Sequence, residues 1–137
     1  DMAYATLADL IARFTEVEIG QVADTDGSGE IDAALVARAL SDAGAEIDAA
    51  LVGRYTLPMV PVPELLTRIA CDLARESLYT DAPPKVVTDR ARQARDLLAA
   101  IAAGRMRLGA PAAAAESSTQ GLVEIISGRR TSPFTGA

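Results

Sequence analysis

The chain has 137 residues, half of them apolar, and a formal net charge of −6. That is one domain's length, and the acidic balance argues against a protein built to grip phosphate backbones, which needs clustered Lys and Arg. With no histidine and a single cysteine, Cys71, zinc sites, Ser-His and Cys-His nucleophile systems and a disulfide framework are outside what one chain can build.

Aromatics make up only 4% of the residues, and much of the apolar content is alanine. Alanine buries little area, so the expected core is thin, with helices packed closely and stability drawn in part from partners. No apolar run approaches the ~20 residues a membrane span needs. The first residues lack the basic start and long apolar run of a signal peptide, and Met2 is the expected natural start.

"TLADLIARF" begins a helix with Thr6 as N-cap and Asp9 in its first turn, and "TEVEIGQVAD" repeats the device with Thr15, Glu16 and Glu18. From Asp32, a plausible N-cap, Val36, Leu40, Ala43, Ile47, Ala50 and Leu51 fall at spacings of three and four, so one apolar stripe runs along a helix to about Arg54. Arg38, Asp42 and Glu46 occupy another face. The prolines of "TLPMVPVP" forbid its continuation and predict a stiff, extended connector, with Pro63 opening the next helix.

"PELLTRIACDLARESLY" carries the strongest helical pattern. Leu66, Ile69, Ala70, Leu73 and Ala74 face inward; Glu64, Arg68, Asp72, Arg75 and Glu76 face outward, with an attractive Glu64–Arg68 pair and a repulsive Asp72–Glu76 pair at neighbouring positions. Cys71 is expected at the margin of the buried face as a structural residue, because no base is present to activate it. After the turn "TDAPPK", Pro83 and Pro84 suit the first turn of a last helix running to about Ala103, with Val87, Ala91, Ala94, Leu98 and Ile101 inside and Gly104 as terminator.

The stretch "DTDGSGEID" resembles a calcium loop in part. Counted from Asp24, Asp26, Ser28, Glu30 and Asp32 fall where a helix–loop–helix calcium site places its oxygen donors. Gly29 takes the sixth place and Ile31 the eighth. The twelfth place, which should supply a bidentate carboxylate, is Leu35. Loss of those two oxygens limits any calcium affinity to about the millimolar range. The preferred reading is a turn: Asp and Ser side chains accept backbone N–H bonds, the glycines take positive φ, Ile31 anchors the loop to the core and Asp32 caps the next helix. No second acid, base or nucleophile is tied to these carboxylates by spacing, and "DGSG" lacks the spacing and lysine of a phosphate-binding loop.

Beyond Gly109, "APAAAAESSTQG" reads as a flexible low-complexity linker. "LVEIIS" then reads as a strand, bounded by Gly121 and Gly128. A lone strand cannot satisfy its own backbone groups. It folds back on the helices, forms a disordered end, or adds to another chain's sheet, and the tether favours addition. On that reading Leu122, Val123, Glu124, Ile125 and Ile126 pair with a partner, Phe134 plugs an apolar pocket, and Arg129 and Arg130 meet acidic groups.

"YATLADLIARF", "DTDGSGEIDAALVARALSDAGAEIDAALVGRYTLP" and "VPELLTRIACDLARESLY", in that order and spacing, resemble the small Mu-like phage and prophage proteins, over about residues 3–109. Those proteins are similar in turn to the helical head–tail connector, or head-completion, adaptors of long-tailed phages. The resemblance implies a subunit of a homo-oligomeric ring below the portal, in the virion neck. The ring would be assembled in the bacterial cytoplasm, would extend the DNA channel and would touch a tail-side connector protein. Members commonly end in a basic, aromatic-containing tail, which "GRRTSPFTGA" fits. An acidic channel wall lets DNA slide without sequence-specific binding.

The expected fold is therefore all-α, a small bundle of four to five helices with an extended C-terminal tail containing one short β-strand. Residues 1–109 form the helical adaptor domain and 110–137 the linker and docking tail. The expected function is structural and non-enzymatic, with no membrane and no cofactor beyond weak calcium. The alternative is a calcium-responsive binding module built on the 24–35 loop.

Overall fold

The computed structural model describes residues 3–108, and all statements of structure concern these. They form an all-α body of five helices: α1 (Leu7–Phe14), α2 (Glu16–Val22), α3 (Ala33–Leu51), α4 (Glu64–Leu78) and α5 (Lys85–Ala102). The strand expected at 122–126, like the whole of 110–137, lies outside the described residues.

Each helix start follows from local chemistry. Thr6 and Asp9 cap α1 reciprocally: the Thr6 hydroxyl accepts the Asp9 N–H, and Asp9 accepts the Thr6 N–H. Thr15 ends α1, donating its N–H to the Ile11 carbonyl, and starts α2, accepting the Glu18 N–H on its hydroxyl. It does so at φ +88°, a region that a β-branched residue enters only under tertiary constraint. Asp32 caps α3 by accepting the Ala34 and Leu35 N–H groups.

Pro63 and Pro84 sit at the N-cap positions of α4 and α5, one place earlier than a first-turn proline. Past Ala103, Gly104 turns left-handed at φ +80°; its N–H reaches the Ile101 carbonyl and the Arg105 N–H reaches that of Ala100, which closes α5 with two crossed bonds. The connector after α3 is a run of turns and bends rather than an extended segment, and it carries Met59 into the core.

α4 is the hub. It packs against α3, α5 and α1, and residues on most of its circumference are buried: Leu66, Ile69, Ala70, Cys71, Asp72, Leu73, Ala74 and Leu78. α3 gives Val36, Leu40, Ala43, Ile47 and Leu51 to the same core, and α5 gives Ala91, Ala94, Leu98 and Ile101. The many buried alanines let helix axes approach closely, at the cost of a shallow apolar layer.

Four sequence expectations on α4 are corrected. Asp72, expected to face outward, is 3% exposed, because α5 covers that stripe. Cys71 is wholly buried rather than marginal, and desolvation pushes its thiol up to about 12. The Glu64–Arg68 pair does not form: Glu64 pairs across to Arg13 of α1, while Arg68 turns along α4 towards Asp72. Glu76, in place of repelling Asp72, meets Arg95 of α5 at 3.0 Å.

Candidate functional site

The loop between α2 and α3 brings Asp24, Asp26, Ser28, Glu30 and Asp32 onto one exposed turn. Gly27 and Gly29 take φ +74° and +85°, which allows the backbone to double back. The carboxylates then collect the amides that this exposes. Asp24 accepts Ser28 N–H at 3.1 Å and Gly29 N–H at 2.8 Å, and Asp26 accepts Ser28 N–H at 3.0 Å. The Glu30 N–H donates to the Ser28 hydroxyl, and the Thr25 hydroxyl to Asp32. Hydrogen bonds from Ser28 hold the Asp26 carboxyl below its ordinary range. The loop is pinned at its base by Asp32 N–H to the Ala23 carbonyl, at 2.7 Å.

Ile31 from this loop and Leu35 from the first turn of α3 both pack against the core. Leu35, at the place of the twelfth ligand, is therefore held by apolar contact. Among the described residues, no group of three or more His, Cys, Asp or Glu side chains has an arrangement that would hold a metal ion.

Beside the loop lies a cleft of about 410 Å³, between the end of α2, the start of α3 and the turn after α4. Val22, Leu35, Leu78 and Tyr79 contribute its apolar surface, and Asp24 and Asp81 stand on it. Tyr79 is fixed there by its hydroxyl, which donates to Glu18 at 2.7 Å. Glu18 also takes a two-pronged bond from Arg75, at 2.8 and 3.0 Å, and the Arg75 guanidinium lies 4.1 Å from the centre of the Phe14 ring. The Arg75 bonds hold the Glu18 carboxyl below its usual value, while burial and then the bond to Glu18 raise the Tyr79 phenol.

This cluster ties α2 to α4, and spacing alone gave no sign of it. The same holds for Tyr4, whose hydroxyl donates to Asp48 of α3, and for Arg95, which joins Glu46 and Glu76. Each contact spans many residues of chain.

The seam between α4 and α5 holds a different kind of polar site. Asp72 meets Arg90 of α5 at 3.5 Å and Arg68 at 3.9 Å. Asp72 Oδ1 and Arg90 Nε are buried without a hydrogen-bond partner among the described residues. Desolvation raises the Asp72 carboxyl above its ordinary value, against the pull of Arg90 and Arg68.

At the opposite end of α3, Arg54 Nε donates to the Ala102 carbonyl at 2.8 Å, and its guanidinium lies beside Gly104. The Tyr55 hydroxyl accepts the Leu108 N–H at 3.1 Å. Arg105 and Arg107 project from this end, both exposed. Leu122, Val123, Glu124, Ile125, Ile126, Arg129, Arg130 and Phe134, assigned above to partner docking, lie outside the described residues. No helix among those described is long and apolar enough to cross a membrane.

Comparison with known proteins adds a lineage to this geometry. The family described as Bacteriophage Mu, Gp36 matches residues 4–127. A Mu-like prophage FluMu protein gp36 of Haemophilus influenzae is 35% identical over 110 residues, which is 77% of this chain and 75% of that protein. Gene product J of Escherichia phage Mu is 33% identical over 88 residues, covering 64% of this chain and 62% of its own length.

Proposed function

Because the chain belongs to the Bacteriophage Mu, Gp36 family, we propose that it is a non-enzymatic structural subunit of a phage or prophage head–tail connector. On this reading copies form a ring below the portal protein and extend the DNA channel towards a tail-side connector protein. The observation that carries the proposal is the reach of the family match. It continues beyond the helical body to residue 127 and takes in Leu122–Ile126. The matched span thus includes the segment read from the sequence as a strand, which supports a role for it in assembly.

The body suits the role in two further ways. Its core is shallow and alanine-rich, so neighbours add materially to its stability. Its helices are joined by long-range polar links (Glu18–Arg75, Arg95 with Glu46 and Glu76) that hold a defined shape for packing in an assembly.

In the proposed mechanism the helical bodies pack side by side, and Leu122–Ile126 add to a sheet edge of another subunit, with Arg129, Arg130 and Phe134 as anchors. The test is truncation after Gly109 in a prophage that makes particles. Heads that lack the subunit, with the truncated chain soluble and folded, are the expected result. Normal incorporation of the truncated chain would overturn the docking role of the tail.

A further inference from the structure

We infer that the cleft beside the 24–32 loop is the receptor for an arginine of a second copy of this chain, and that the arginine comes from the Arg105–Arg107 turn. The inference rests on the ring reading above and names the contact by which neighbours would meet.

The cleft has the chemistry of an arginine site. Val22, Leu35, Leu78 and the Tyr79 ring offer surface for an alkyl stem and the face of a guanidinium, while Asp24 and Asp81 offer carboxylates. Its volume, about 410 Å³, accommodates a long side chain. Asp24 already accepts two backbone N–H groups, but a carboxylate has about four acceptor positions, so capacity remains. No Lys or Arg among the described residues lies within ion-pair distance of Asp24 or Asp81.

The opposite end of the molecule has the complementary charge. Arg105 and Arg107 are exposed on the turn that closes α5, and no described carboxylate lies within ion-pair distance of either. That turn is fixed to the C-terminal end of α3 through Arg54–Ala102 and Tyr55–Leu108. Asp24 and Leu35 sit at the N-terminal end of the same helix. α3 has 19 residues, so the two ends are about 28 Å apart. An arginine at one end does not reach the cleft at the other within one molecule, whereas a second copy placed head to tail brings them together. Such a contact joins two different surfaces, the geometry that generates rings when the rotation closes.

The test uses the full chain carrying Asp81→Cys and Arg107→Cys together; the native thiol, Cys71, is wholly buried and stays silent. Treated with a bis-maleimide spanning about 10 Å, because an Arg–Asp contact holds the two backbones beyond disulfide reach, and read by denaturing electrophoresis, the pair should give a ladder of linked multimers. Its yield should exceed that of an Asp42→Cys/Arg107→Cys control, which offers a thiol on the outer face of α3, by about tenfold, because juxtaposed thiols react at high effective concentration. A yield equal to the control overturns the contact. A chain that links in this way but never enters particles keeps the contact and defeats the connector reading. A chain that enters particles without linking does the reverse.

Discussion

The loop at 24–32 and the seam between α4 and α5 both rest on aspartates, and they use them in opposite ways. In the loop, the carboxylates are open to water and take up backbone N–H groups within a few residues of themselves. In the seam, Asp72 is sealed from water and faces guanidinium groups at 3.5 and 3.9 Å, one of them from another helix, with an oxygen left unbonded. The difference teaches where polar groups stabilise and where they select. A local acceptor satisfies amides that would otherwise be bare. A pair whose carboxylate is sealed while its guanidinium side chains are 40% and 44% exposed loses much of its attraction to desolvation. Its expected role is therefore to disfavour other registers of α5 against α4 rather than to add stability.

The sharpest break of that comparison is to remove one side of the seam. Arg90→Ala leaves Asp72 buried with Arg68 as its nearest cation, and should cost about 2 to 3 kcal/mol of stability near neutral pH in a denaturant titration. Replacing both partners by apolar groups, Asp72→Leu with Arg90→Met, should recover most of that loss, because nothing charged is then buried. A double variant as unstable as Arg90→Ala would show that the pair stabilises the fold outright.

The loop should respond less and recover differently. Asp32→Ala removes the acceptor for two amides at the start of α3 and should cost about 1 to 2 kcal/mol. Asp32→Asn keeps a side-chain oxygen there and should cost only a few tenths of a kcal/mol. Equal losses in the two variants would mean that the charge, and not the cap, is what matters at this position.

The same contrast explains what was legible in the sequence. The caps at Thr6, Thr15 and Asp32, the stop at Gly104 and the inward stripes of α3 and α5 depend on residues three or four apart, so spacing revealed them. Asp72 was misplaced for the converse reason. An amphipathic stripe tells which face of α4 meets one neighbour, but α4 packs against three helices and is tied to α2 as well, and the face covered by α5 looked polar. The Glu18–Arg75–Tyr79 cluster and the cleft beside it join positions about sixty residues apart in the chain. The one advance sign was Glu18 in a first helical turn, which reads equally well as a partner for the helix dipole.

Titration should separate the two kinds of carboxylate with opposite signs. The Asp72 carboxyl is raised in the folded state, so its ionised form is disfavoured there; this penalty is present above the raised value and disappears as pH falls below the unfolded one. Glu18 is lowered in the folded state, so its stabilisation is present above the ordinary carboxylate value and is lost as pH falls through the lowered one. Relative to the wild type, Asp72→Asn should therefore gain stability between about pH 3 and pH 7, while Glu18→Gln should lose it over the same interval. Thermal melts of the three proteins across that range give the slopes directly. Parallel slopes for the two variants would contradict the assignment of Asp72 as desolvated.

The smallest expected effect concerns calcium, where the loop is most easily mistaken for something else. Asp24, Asp26 and Ser28 already accept amides of the loop itself, and the twelfth place is an apolar residue on the core. With affinity limited to about the millimolar range, calcium at a concentration equal to its dissociation constant would add about 0.4 kcal/mol. For a body of this size that is a rise of roughly 2 to 3 °C in Tm. Leu35→Glu sharpens the measurement. Residue 35 lines the same cleft as Asp24, so a carboxylate there faces the loop. Without calcium this variant should melt below the wild type, because a charge replaces a packed apolar group. With calcium it should regain more than the wild type gains, since two oxygens have been returned to the ligand set. Equal calcium shifts in the two proteins would show that the oxygens of this turn do not converge on an ion at all, and that its likeness to a calcium loop ends with the turn.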